Sequence, residues 1–150
     1  MGPATLAQRA AAAFLGRDGL IATDDSDGAC TGSCADGGGA GNRVFTVVPG
    51  TGRVSAVTSS SITAQAYAPS WSPNGESLAF VQFAFPMDSP ELVVSDPIGG
   101  ELRTTQLLAG MGAPTDPAFT ADCAHLLFAA GDGRGYDIYR IALDGSGLAA

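Results

Sequence analysis

Short apolar runs alternate with turn-forming residues along most of this chain, and one stretch has the pattern most clearly. Residues 68–71 and the apolar run 78–81 flank a Ser-Pro-Asn-Gly turn at residues 72–75. Proline at the second turn position sets φ, while asparagine and then glycine tolerate the positive φ that tight turns need. The pattern therefore predicts a β-hairpin in which Asn74 and Gly75 both take positive φ.

The same order of elements occurs three times along the chain. Each unit has predicted strands joined by turns, and the first unit also has a glycine-rich loop at residues 29–41. The predicted strands are residues 20–23, 43–48 and 53–58 in the first unit, 78–83, 91–95 and 101–107 in the second, and 126–130 and 136–143 in the third. Repetition at a period of about 45–50 residues is typical of β-propeller blades.

Three stretches resemble the TolB-like family of β-propeller repeats, which is related to WD-repeat blades. Residues 71–80 resemble its W/F-S-P-D-G-x-x-L/I-A-F core, residues 137–147 its I-Y-x-x-x-x-D-G-S-G half, and residues 25–28 its S-D-R-D-G turn. The third unit departs from the pattern, because residues 121–123 read Ala-Asp-Cys in place of Pro-Asp-Gly. The first unit also departs, since its cysteine loop has no counterpart in the family.

The resemblance implies an all-β fold of about three four-stranded antiparallel blades, forming an incomplete, open TolB-like propeller. Residues 1–13 would be an alanine-rich lead-in and residues 14–150 the partial propeller, with blades at about 14–60, 66–109 and 114–150. The central strands of a blade are buried on both faces by neighbouring blades, which explains their continuous apolar runs. We expect four aromatic residues in the blade cores: Trp71, Phe80, Phe119 and Phe128.

Composition and charge limit the partners that this chain can have. It has 150 residues, 45% of them hydrophobic, with 21 glycines and 9 prolines, which favours short strands and turns over helices or disorder. All seven basic residues are arginine, and fifteen acidic residues leave a net charge of −8. So acidic a chain disfavours nucleic acid as a partner. No apolar run is long enough to predict a membrane-spanning helix.

The three cysteines have separate interpretations. Cys30 and Cys34 flank Thr-Gly-Ser in an acidic, glycine-rich segment. A small disulfide loop, two free thiols, or a metal site lacking two further ligands are the alternatives, and we favour the disulfide. Cys123 occupies the place of a turn glycine, and a catalytic role for it would require a partner base.

Motifs for catalysis are absent from the sequence. It has no Gly-x-Ser-x-Gly elbow, no Walker loop and no His-Glu-x-x-His, and its one histidine, His125, has no evident acid or nucleophile beside it. The glycines at 37–41 read as a loop, and the acidic stretches 24–28 and 132–137 read as solvated turns that complete no calcium loop. We therefore expect no catalytic residue, no cofactor and no metal.

The predicted function is a non-catalytic scaffold that presents loops to a protein or peptide partner, within a longer envelope or secreted protein. The alternative is the gating propeller of a prolyl-oligopeptidase-type serine peptidase, whose catalytic domain would lie elsewhere. Acidity, the lack of lysine and the pair Cys30 and Cys34 favour an extracellular or periplasmic location. An open arc would expose apolar blade faces, including Leu126 and Phe128, so residues 1–150 alone would either self-associate or be poorly stable. The third unit leaves only residues 148–150 for a fourth strand, so the native chain is expected to continue.

Overall fold

A computed structural model describes residues 19–24, 43–58, 64–84, 90–96, 103–106, 111–131 and 133–150. The predicted lead-in, the glycine-rich loop and the turn at 25–28 lie outside them. This part of the chain contains strands and no helix. The strands are β1 (Ile21–Asp24), β2 (Val44–Val48), β3 (Arg53–Ala56), β4 (Ala64–Trp71), β5 (Leu78–Ala84), β6 (Glu91–Ser95), β7 (Arg103–Gln106), β8 (Thr115–Phe119), β9 (His125–Gly131) and β10 (Tyr136–Ala142).

These strands form three antiparallel sheets, which confirms the all-β prediction. Sheet 1 has the order β1-β2-β3, sheet 2 the order β4-β5-β6-β7, and sheet 3 the order β10-β9-β8. Sheet 2 has the four strands expected of a blade, whereas sheets 1 and 3 have three each among the described residues. Sheet 1 lies within residues 14–60 and sheet 3 within 114–150, while β4 begins before residue 66. Beside β10, Ala149 forms a single β-bridge with Arg140.

The predicted hairpin is present, but its asparagine acts differently from the prediction. Strands β4 and β5 pair antiparallel up to Trp71 opposite Leu78, and Gly75 has φ 69°. Asn74 is not among the residues with positive φ. Its side-chain Oδ1 instead accepts hydrogen bonds from the Ser72 hydroxyl (2.6 Å) and from the Glu76 N–H (3.1 Å). The prediction of positive φ at Asn74 was therefore wrong, because its side chain, and not its backbone, stabilises the turn.

Sheet 3 repeats the main hydrogen bonds of this turn despite its different sequence. Asp122 Oδ1 accepts from the Thr120 hydroxyl (2.5 Å) and the Ala124 N–H (3.0 Å), as Asn74 does in sheet 2. The Cys123 N–H donates to Thr120 O at 2.9 Å, and the Gly75 N–H donates to Ser72 O at 2.8 Å. Cys123 has φ 57°, so it takes the left-handed conformation of the glycine that it replaces.

Sheet 2 is buried on both faces, as its continuous apolar runs predicted. Successive side chains of a strand point to opposite faces, and β5 divides its residues accordingly. The first cluster, between sheets 1 and 2, contains Ala22, Val44, Val57, Ala66, Trp71, Leu78, Phe80 and Val93. The second cluster, between sheets 2 and 3, contains Ala79, Val81, Leu92, Val94, Leu126, Phe128, Ala130 and Ile141.

The exposed residues of sheet 3 differ from those that the sequence suggested. Leu126 and Phe128 are only 0% and 1% exposed, because both point towards sheet 2. Their expected exposure was wrong. The alternation of β9 turns Leu127 to the opposite face, where Ile138 is 64% exposed.

Candidate functional site

The first strands of sheets 2 and 3 share an irregularity at the same repeat position. The register between β4 and β5 shifts between Tyr67 and Ser70, and that between β8 and β9 shifts between Thr115 and Ala118. Within these bulges Ala68 has φ 53° and Asp116 has φ 51°. Each precedes a proline, and a bulge inserts an extra residue that redirects nearby side chains. Both strands therefore bend at these bulges.

The sheet 2 bulge is held by a hydrogen bond from the neighbouring sheet. The carboxylate Oδ2 of Asp24, at the end of β1, accepts the N–H of Ala68 at 2.7 Å. Because the bulge disrupts the regular ladder, this N–H finds its acceptor in another sheet. The acceptor is a carboxylate, so the bond is charge-assisted. It joins sheets 1 and 2 at the point where sheet 2 departs from regular geometry.

Next to the two bulges lies a group of aromatic and acidic side chains that we call the rim cluster: Tyr67, Phe83, Asp116 and Tyr136. The rings of Tyr67 and Phe83 stack, with centroids 5.6 Å apart and planes inclined by 23°. Burial raises the pKa of the Tyr67 phenol above its ordinary value of 10.0, and the nearby Tyr136 and Asp116 raise it further. Asp116 is exposed, and Tyr136 is 72% exposed.

Closely packed glycine backbone supports the rim cluster at sheet 3. The Gly112 N–H donates to Gly131 O at 2.5 Å, and a Cβ on Gly112 would lie only 2.9 Å from that oxygen. A Cβ on Gly131 would lie 3.1 Å from Gly135 O and 3.8 Å from the ring of Tyr136. Side chains at these glycines would push the segments apart, so the glycines allow the approach that positions Tyr136 beside the end of β9.

The rim cluster combines aromatic rings with hydrogen-bonding groups. Exposed tyrosine offers a flat apolar ring and a hydroxyl, and the carboxylate of Asp116 offers two hydrogen-bond acceptors. Among the described residues, no group of three or more His, Cys, Asp or Glu side chains is arranged to hold a metal ion. The bulge at Asp116 could be anticipated from its repeated X-Pro sequence. The electrostatic effect of Tyr136 on Tyr67 had no sequence signal, because it depends on how two sheets pack.

The aromatic residues singled out in the sequence lie in or beside the two clusters. Trp71 and Phe80 are fully buried in the first cluster and Phe128 in the second, while Phe119 is half-buried against the second. Cys123 is a free thiol, also half-buried. Cys30 and Cys34 lie outside the described residues, so their disulfide stays a prediction.

His125 has acidic neighbours that the sequence did not reveal. The hydrogen bond from the Thr120 hydroxyl lowers the pKa of Asp122, and His125 lowers it further by a smaller attraction. Hydrogen bonds from Ser146 lower the pKa of Asp144, to which His125 also contributes. Both carboxylates accept hydrogen bonds within turns, so this arrangement stabilises the turns.

Comparison with known proteins gives matches at the level of structure alone. No protein-family model and no curated protein matches this chain. A chain of the nidogen–laminin complex matches 91% of this chain and 45% of its own length, with 12% identity and a TM-score of 0.64. TolB from Acinetobacter baumannii matches 72% of this chain and 26% of its own length, with 22% identity and a TM-score of 0.57. Oligogalacturonate lyase in complex with manganese matches 71% of this chain and 28% of its own length, with 14% identity and a TM-score of 0.58.

These matches establish the fold and no more. The chain has the repeat fold of TolB-like β-propellers, as its sequence motifs predicted. It spans less than half the length of each of these structures. From the two shares of the match, the chain of the nidogen–laminin complex is about twice as long as this one. In the described part of the chain, no helix has the length and apolarity to cross a membrane.

Proposed function

We propose that this chain is a non-catalytic β-propeller scaffold that binds a protein or peptide partner at the rim cluster. One observation carries the proposal: Tyr136, 72% exposed, and the exposed carboxylate of Asp116 both act electrostatically on the phenol of Tyr67, and the ring of Tyr136 lies against the closely packed backbone at Gly131. Tyrosine is enriched among the residues that dominate protein interfaces. A rigid aromatic surface loses little conformational entropy on binding, which favours affinity.

The partner should carry a basic residue next to an apolar or aromatic one. Asp116 would pair with the basic group, and the exposed face of Tyr136 would attract the same cation. The net charge of −8 would speed the approach of a basic segment. An extended peptide suits this site better than a compact small molecule, because the rim cluster lies along strand ends and turns.

Selection from a random phage-displayed peptide library tests this function. We expect selected peptides to contain arginine or lysine beside an apolar residue, and to bind more weakly as salt is raised. Tyr136→Ala and Asp116→Asn should each weaken a selected peptide at least tenfold, and asparagine tolerates the left-handed φ of this position. Asp144→Asn, which removes a carboxylate at the opposite end of β10, is the control. Selection of peptides that bind all variants equally would refute the rim cluster as the site.

The absence of catalysis and the exported location belong to the same proposal. Both carboxylates near His125 act as turn acceptors, which supports a scaffold without its own chemistry. Hydrolysis of peptides by purified residues 1–150 would overturn it.

Exported location rests on the acidic, lysine-free composition and on Cys30 and Cys34. Mass spectrometry after alkylation without reduction should find one labelled thiol in protein recovered from its native compartment, whereas three would contradict export with a disulfide.

A further inference from the structure

The turn between β4 and β5 contains a chemically reactive pair of residues. Asn74 precedes Gly75, and because glycine has no side chain its main-chain nitrogen can attack the asparagine side chain with little hindrance. The side chain of Asn74 is also exposed to solvent. The other asparagine of the chain, Asn42, precedes Arg43, whose side chain hinders the same attack. By sequence, this reaction is therefore faster at Asn74 than at Asn42.

The reaction is deamidation, and its one co-reactant is water. The nitrogen of Gly75 bonds to Cγ of Asn74, the bond from Cγ to Nδ2 breaks, and Nδ2 leaves as ammonia with the proton from Gly75. Water then cleaves one of the two C–N bonds that Gly75 makes in the succinimide ring. Cleavage at Cγ gives aspartate. Cleavage at the main-chain carbonyl gives isoaspartate, which lengthens the main chain by one carbon atom.

The folded turn holds each group that must move in the first step. The Gly75 N–H donates to Ser72 O at 2.8 Å. Asn74 Oδ1 accepts the bonds from the Ser72 hydroxyl and the Glu76 N–H, and Asn74 Nδ2 donates to Glu76 Oε2 at 3.1 Å. Attack on Cγ requires release of the Gly75 N–H and rotation of the side-chain amide. These hydrogen bonds must therefore break before the reaction can begin.

Sheet 3 indicates which product the turn can accommodate. Asp122 accepts the same two hydrogen bonds there that Asn74 accepts in sheet 2. Aspartate at position 74 would therefore keep the turn, although its second oxygen would lie where Nδ2 now donates to Glu76. The two carboxylates would repel each other, a cost that sheet 3 avoids because it has Ala124 at the position of Glu76. Isoaspartate has no such counterpart, and its extra atom would shift the start of β5.

We propose that Asn74–Gly75 is a deamidation site that the folded turn protects, so that the reaction proceeds when residues 72–77 open. This opening is local, because Pro73, Asn74 and Glu76 are exposed and can move while β4 and β5 stay paired. The aspartate product closes the turn again, whereas isoaspartate leaves it open and destabilises a hairpin whose strands contribute to both clusters. The site does not depend on peptide binding at the rim cluster.

Peptide mapping by mass spectrometry, after incubation in mildly alkaline buffer, measures the reaction at each asparagine. In the wild-type chain, Asn74 should react about tenfold or more slowly in the folded protein than in urea, where it should also outpace Asn42. Below the unfolding transition its rate should change little with urea, because a local opening exposes little surface. Equal rates in the folded and unfolded protein would overturn the proposal. So would a rate that rises steeply with urea before the transition, since global unfolding would then control the reaction.

Two matched variants test whether this turn provides the protection. Ser72→Ala removes the hydroxyl that donates to Asn74 and accepts the Ser77 N–H, so the folded-state reaction should speed up about threefold or more, with no change in urea. Thr120→Ala removes the two equivalent bonds from the turn of sheet 3 and should leave the rate at Asn74 unchanged. Equal acceleration by both variants would contradict local protection.

A substituted protein tests the aspartate product directly. Asn74→Asp should fold, with a thermal midpoint below that of the wild type because of repulsion from Glu76. Combining it with Glu76→Gln should recover most of that difference, as should added salt, because both side chains are exposed. Failure of the Asn74→Asp protein to fold would refute the claim that the turn accommodates aspartate.

Discussion

The turn of sheet 3 gives a cysteine the conformation that the turn of sheet 2 gives a glycine. Cys123 has φ 57° and Gly75 has φ 69°, with matching hydrogen bonds around them. Comparing Cys123→Gly with Cys123→Ala isolates the backbone effect, because both variants remove the thiol. Ala121→Gly in the same turn is the matched control, since Ala121 is exposed and is not among the residues with positive φ.

The expected difference follows from two opposing terms. A residue with a Cβ costs about 1–2 kcal/mol in the left-handed region, and glycine avoids this cost. Glycine in turn loses about 0.5–1 kcal/mol more conformational entropy on folding. Cys123→Gly should therefore exceed Cys123→Ala in the free energy of unfolding by up to about 1.5 kcal/mol, with about 0.75 kcal/mol as the central value. At Ala121 only the entropy term applies, so Ala121→Gly should destabilise the protein by about 0.5–1 kcal/mol.

Thermal unfolding followed by circular dichroism measures both differences. For a chain of this size about 1 kcal/mol corresponds to a midpoint shift of about 2–4 °C, which is readily resolved. The midpoint of Cys123→Gly should lie above that of Cys123→Ala, while Ala121→Gly should fall below the wild type. If glycine lowered the midpoint at both positions, the left-handed conformation of Cys123 would be refuted.

Three further predictions concern the clusters, the contact between sheets 1 and 2, and the turn acid. Phe80→Ala and Phe128→Ala should each lower the free energy of unfolding in urea by about 3–5 kcal/mol, and Val54→Ala by under about 1 kcal/mol; equal losses would contradict the burial. Asp24→Ala should cost about 1–3 kcal/mol in thermal unfolding by leaving a bulge N–H without this acceptor, and Asp24→Asn should cost less; equal costs would argue against the bond. Hydrogen bonding lowers the pKa of Asp122, so its stabilisation is complete above the ordinary value of 3.8 and is lost as pH falls through the lower folded value. The midpoint difference between wild type and Asp122→Asn should therefore shrink below pH 3.8, whereas a constant difference would contradict this linkage.

Sequence reasoning succeeded where the determinants are local. The hairpin around residues 72–75 and the strand order of sheet 2 follow from glycine, proline and apolar runs close together in the chain. The two-sided burial of β5 follows from its continuous apolar run, because a strand with one solvent-exposed face would alternate apolar and polar residues. The turn at Asp122 kept its geometry despite the change to Ala-Asp-Cys, because a carboxylate accepts the same bonds as an asparagine amide oxygen.

Sequence reasoning failed where the cause lies between sheets. The bond from Ala68 to Asp24 joins residues far apart in the chain, and no local pattern distinguishes that aspartate from the turn acids after it. The rim cluster depends in the same way on the packing of sheet 3 against sheet 2. The exposure expected at Leu126 and Phe128 failed because the run was treated as one apolar surface, whereas alternate residues of β9 meet different neighbours.

Burial of sheet 2 on both faces also determines how the molecule opens to solvent. Exposing the amides of β5 and β6 requires the loss of both clusters, since these strands supply residues to each. Opening β3 or β10 disturbs fewer buried contacts, because their residues are mostly exposed. Amide hydrogen exchange should thus be slowest in the middle sheet and fastest at the two flanks. The two outer sheets would then open locally and independently of each other, while the middle sheet would open only when the whole molecule unfolds.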